Sequence, residues 1–138
     1  MAMPTSKNAR LFYRAAKQRF DDASLLYELE RTTASIYLAG YSVECMLKAL
    51  ILSTVPSRRE GEILQLFRGV RAHDYDWLMA IYRENGGTRI LHDLVAHFMR
   101  VSAWSTDMRY SPARIEISEA KVFLDSVNEI NQWADGRL

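Results

Sequence analysis

The sequence of 138 residues predicts an all-α protein, an up-and-down helical bundle built on a long antiparallel helical hairpin, with short helices between that hairpin and a terminal helix. Three observations predict it. Apolar residues recur at helical spacing through Phe12, Ala16, Phe20, Ala23 and Leu26. The stretch from Ala34 to Thr54 is apolar almost all round, its only charges being Glu44 and Lys48. Nowhere does apolar and polar alternate for long enough to suggest a strand; the one β-like run, Arg114 to Ile117, is too short to change the class.

The elements follow in order. The first helix spans about Thr5 to Glu30, with Lys7, Arg10, Arg14 and Lys17 on a basic stripe opposite its apolar one. That stripe reads as a solvated face or as a phosphate-facing one. Arg31-Thr32-Thr33 breaks the helix, and Thr32 or Thr33 is placed to cap the next, which runs to about Thr54. Two long helices joined by so short a turn must lie antiparallel. After Pro56, Ser57-x-x-Glu60 has the pattern of a capping box, opening a short helix through Ile63, Leu64 and Phe67 that closes near Gly69. Asp74 is a suitable N-cap for a further helix with Trp77, Leu78 and Ile81 inward, ended by Asn85-Gly86-Gly87. Thr88 is placed to cap another, turning Ile90, Leu91, Leu94, Phe98 and Val101 inward. A tight segment from Trp104 to Pro112 precedes the last helix, opened by Ser118 and carrying Ala120, Phe123, Val127, Ile130 and Ala134 on its inner face.

Composition sets the outer limits. Residues 1–138 are expected to form one domain, long enough to bury a substantial core. A formal net charge of +1 gives the whole chain no general attraction to nucleic acid or membrane, and no DNA sequence recognition is expected. A single cysteine, Cys45, excludes an intramolecular disulfide and fits a reducing compartment. MAMPTSKNAR lacks the apolar core of a secretory signal, and Glu44 and Lys48 would both fall near a bilayer centre, so a cytoplasmic protein with a core helix is expected. His92 and His97 are five residues apart on a helix and poorly disposed as co-ligands; no metal and no cofactor is expected. Asp93, His97 and Arg100 share a face expected to be solvated and salt-bridged.

Three blocks resemble the HEPN superfamily, helical domains named for nucleotide binding in prokaryotes and higher eukaryotes. They are Gly40-Tyr41-Ser42-Val43-Glu44-Cys45-Met46-Leu47-Lys48-Ala49, His73-Asp74-Tyr75-Asp76-Trp77-Leu78 and Asp107-Met108-Arg109-Tyr110-Ser111-Pro112. The last is similar to the Arg-Tyr-Pro block of one HEPN branch. The resemblance implies a bundle that dimerises and works beside a minimal nucleotidyltransferase, in toxin–antitoxin or defence systems. Another branch comprises metal-independent ribonucleases with Arg-x4-6-His. Arg68-Gly69-Val70-Arg71-Ala72-His73 matches that pattern literally, but no histidine follows Arg109.

Glu44, Lys48, Arg109 and Tyr110 are therefore the candidate ligand-binding residues, for a nucleotide, RNA or a docked partner. Glu44 and Lys48 lie four residues apart and pair on one helix face, either as a phosphate site or as a buried pair that fixes helix register. Arg109 suits a phosphate or a carboxylate, and a Glu44–Arg109 contact is expected to lock the last segment to the core. In a ribonuclease reading, Arg68 or Arg71 would stabilise the phosphate and His73 would act as base. A structural adaptor without ligand is the third reading.

Overall fold

The computed structural model of the protein describes residues 3–138. Six α-helices follow one another: α1 (Lys7–Glu28), α2 (Thr32–Thr54), α3 (Glu60–Leu66), α4 (Tyr75–Glu84), α5 (His92–Val101) and α6 (Ile117–Asp135). Among the described residues there is no strand, and 111–116 runs as extended chain. The predicted architecture stands.

The fold is organised around α2. Because it is apolar on nearly every face, it must be covered on nearly every face, and α1, α4 and α6 all pack against it while α5 packs on α6. By length and composition α2 could cross a membrane, yet most of it is buried inside the bundle. Ala9, Ala16 and Ala23 of α1 are fully buried, so small side chains let the two arms of the hairpin approach closely. Ala120, Phe123, Val127, Ile130 and Ala134 of α6 are all buried, as their spacing predicts.

The helix ends differ from the sequence reading in instructive ways. Neither Thr32 nor Thr33 caps α2. Their hydroxyls instead donate to the carbonyls of Ile115 and Ala113, tying the extended chain before α6 to the hairpin tip. The turn itself is closed by Glu30 at φ 61°, with the Arg31 N–H on the Leu26 carbonyl at 2.8 Å, so a glutamate occupies the left-handed position glycine usually takes. Ser57 forms no capping box; it starts a 3₁₀ turn, and Glu60 reaches across to the hydroxyl of Ser6, itself the N-cap of α1. Thr88 does not cap α5. Its hydroxyl pairs with Tyr82, and the helix begins only at His92, which leaves Leu91 73% exposed rather than inward. The end of α4 is as expected: Gly86 sits at φ 93° and the Gly87 N–H returns to the Tyr82 carbonyl at 2.8 Å.

The charged faces are also more committed than their spacing suggests. Arg10 folds back onto the carbonyls of Pro4 and Thr5, and Lys17 pairs with the buried Asp135 at 3.0 Å, so the basic stripe is partly spent on structure. Of the face expected to join Asp93, His97 and Arg100, the structure keeps the His97–Arg100 contact, at 3.2 Å, and lacks one to Asp93; the His97 Nδ1 also lies 3.0 Å from the Ser126 hydroxyl, on the edge of α5 that meets α6.

Candidate functional site

Glu44 and Lys48 form an ion pair of 2.7 Å in which the side chains are only 5% and 8% exposed. Such a pair survives burial only if its remaining hydrogen-bonding and electrostatic needs are met. The Lys48 ammonium lies 5.7 Å from the Phe12 ring centroid and 5.5 Å from that of Phe67, two rings from α1 and the end of α3 that meet edge to face. Lys48 is thereby enclosed. The second oxygen of Glu44 faces His73 Nδ1 at 2.8 Å.

His73 comes from a 3₁₀ turn, Val70–His73, anchored by the fully buried Ala72 and followed by Asp74, whose carboxylate caps α4 through the N–H groups of Asp76 and Trp77. The imidazole is 43% exposed, and its edge approaches the Tyr41 ring. A polar chain thus runs from Lys48 in the core through Glu44 to His73 at the surface. The expected Glu44–Arg109 contact is absent: the Glu44 carboxylate is buried beside Lys48 and His73, while Arg109 lies exposed on the far segment.

The segment carrying Arg109 is fixed to α2 in another way. The Trp104 indole N–H donates to the Tyr37 carbonyl at 3.0 Å, and the Tyr75 hydroxyl donates to the Gly40 carbonyl at 2.8 Å. The two rings stack at 5.4 Å with 9° between planes, and Tyr41 meets the indole edge to face. Gly40 makes this possible: a Cβ there would lie 2.1 Å from the indole nitrogen. All three sequence blocks meet at this point, Gly40 to Lys48 from α2, His73 to Leu78 from α4, and the 104–112 segment.

Their meeting leaves a cleft of about 790 Å³, within the size range of small-molecule sites. His73, Asp74, Tyr75, Asp76 and Arg83 line it from one side, Val95, Phe98 and Met99 from α5, and Trp104, Ser105, Thr106 and Arg109 from the last segment. Arg109 is exposed, lies over the Tyr110 ring at 4.8 Å, and has no carboxylate partner among the described residues. A family model described as the HEPN domain matches residues 9–137. The chain belongs to the HEPN family. Comparison with curated proteins and with solved structures gives no match.

Within this HEPN domain the candidate residues fall into three groups. Arg109 and His73 line the cleft together. Glu44 and Lys48 do not line it and stand behind His73. Arg68, Arg71 and Tyr110 are exposed and outside it. Asp76 lies within the His73 to Leu78 block but was not singled out there, and Arg83 carries no distinctive sequence signal; only the fold places both in the cleft. Among the described residues, no three His, Cys, Asp or Glu side chains converge as a metal ion would require.

Cys45 adjoins this site without joining it. Burial, reinforced by the negative charge of Glu44, pushes its thiol up to about 11. A raised thiol keeps less thiolate at a given pH, so alkylation near pH 8 is expected to run about a hundredfold slower than for an exposed cysteine. Iodoacetamide labelling followed by mass spectrometry checks this; labelling at the free-thiol rate would show that Cys45 is open to solvent.

Proposed function

We propose that this HEPN domain binds a nucleotide, or a short single-stranded stretch of RNA, in the cleft between α4, α5 and the 104–109 segment. One observation carries the reading: His73, backed by a buried carboxylate, lines the same cleft as an arginine that has no protein anion to satisfy it. The guanidinium fork suits phosphate oxygens, and the apolar flank of Phe98 and Met99 suits a base or sugar face. Asp74 and Asp76 in the same cleft oppose a long phosphate track, which supports recognition of one or two nucleotides rather than of a continuous backbone.

Titration calorimetry with ATP, GTP and a short single-stranded RNA tests the reading. Heat is expected with at least one of them, with affinity falling about tenfold or more in Arg109→Ala and little in Arg68→Ala. No heat with any ligand would leave docking to a partner protein as the role of the cleft. Dimerisation and service beside a nucleotidyltransferase, both implied by the family resemblance, belong to this proposal.

The Glu44–His73 contact favours a second reading, metal-independent RNA cleavage with His73 as base. Arg109 is then the phosphate-binding arginine, since Arg68 and Arg71 lie outside the cleft. Cleavage of RNA by the wild-type protein that is lost in His73→Ala supports it. Equal cleavage by the two proteins removes His73 from that role.

A further inference from the structure

We propose that Glu44 and Lys48 are positioning residues for His73, holding its proton on Nδ1 and presenting Nε2 to the cleft as a hydrogen-bond acceptor, so that the site favours ribonucleotides over deoxyribonucleotides. The ribose half rests on the nucleotide reading above; the positioning half stands on geometry alone.

A carboxylate ion-paired to Lys48 at 2.7 Å has only acceptor oxygens, so His73 Nδ1, 2.8 Å from the other oxygen, must be the donor. In a neutral imidazole the second nitrogen then carries a bare lone pair. This is the reverse of the tautomer that predominates for histidine in water, so it requires a fixed partner. Lys48 fixes Glu44, and the Phe12 and Phe67 rings hold Lys48 in place. Among the described residues Nε2 has no partner of its own.

Donors and acceptors also constrain the ligand. Arg109 only donates and therefore takes an anion. The acceptor Nε2 needs a hydroxyl or an N–H, and a phosphate oxygen offers neither. A ligand that brings a hydroxyl donor close to a phosphate satisfies both ends of the cleft, and a ribose hydroxyl beside its phosphate does so. A deoxyribose lacks the hydroxyl beside its phosphate, so Nε2 loses that donor at a site from which the ligand has displaced water.

Two measurements on the intact protein decide the matter. The first is nitrogen-15 correlation spectroscopy of the imidazole near pH 8, above the ordinary histidine range. His73 is expected to carry its proton on Nδ1. In Glu44→Gln the amide oxygen is claimed by Lys48 and the amide N–H turns to His73, so the proton is expected to move to Nε2. An Nε2 proton in the wild type, or no change in the variant, overturns the positioning role; should Glu44→Gln not fold, the wild-type spectrum decides alone. The second is fluorescence anisotropy with labelled ribo- and deoxyribo-oligoadenylates, expected to differ by about tenfold in affinity, with the difference lost in His73→Ala. Equal binding of the two oligomers by the wild type overturns the ribose preference. If neither binds, the nucleotide reading falls and the ribose preference falls with it, while the tautomer result still decides the positioning role.

Discussion

Glu44→Ala is expected to lower stability by about 3–5 kcal/mol and the melting temperature by about 10–15 °C. The loss comes less from the missing attraction than from what is left behind. Lys48 would keep an ammonium group buried against Phe12 and Phe67 with no anion, and His73 would lose the partner that holds its turn. A double replacement, Glu44→Leu with Lys48→Met, removes both charges and puts apolar chains among the same rings. It is expected to recover a large part of the loss, because an apolar pair of similar volume avoids the stranded charge. Thermal unfolding of the three proteins checks this. A single variant as stable as the wild type would mean that the pair is hydrated, contrary to its burial.

Gly40→Ala is the second large effect, and its sign is not obvious from the sequence. Alanine in a helix interior gains up to about 1 kcal/mol over glycine. Here its Cβ would meet three indole atoms of Trp104 at 2.1 to 2.3 Å, so the ring must leave its place. Leaving costs the stack on Tyr75, the edge contact with Tyr41 and the hydrogen bond to the Tyr37 carbonyl. The clash outweighs the propensity, for a net loss of about 2–4 kcal/mol. Near-ultraviolet circular dichroism is expected to show the loss of the ordered indole. The control is Gly40→Ala made in a Trp104→Ala background, where the same change should be neutral or stabilising. A loss of similar size there would place the cause in the α2 backbone rather than in the indole.

The frame of this fold was readable because α1 and α6 each repeat an apolar stripe over five or six turns, and α2 is apolar nearly all round over a similar length, which leaves one solution. The short elements were less legible. Thr32, Thr33 and Thr88 have side chains suited to capping, yet each spends its hydroxyl on another partner, the two former on the chain before α6, while at Ser57 the expected capping partner Glu60 is drawn off to Ser6. The site divides along the same line. Glu44 and Lys48 announced themselves as charges in an apolar helix. That the free oxygen of Glu44 would go to His73 rather than to Arg109 depends on where a four-residue turn lands, which no local pattern encodes. Gly40 shows the converse: its presence in the block was visible, while its reason, an indole arriving from 64 positions later in the chain, was not.

On the proposed function, a phosphate-bearing ligand sits at the end of the cleft defined by His73 and Arg109. The protein has three histidines, His73, His92 and His97, which makes the test direct. Proton resonances of the three imidazoles, followed while a short single-stranded RNA is added, are expected to shift at His73 and to stay put at His92 and His97, with the shift abolished in Arg109→Ala. Binding that moves His97 or His92 and leaves His73 unchanged would contradict the claim and place the ligand on another face of the bundle.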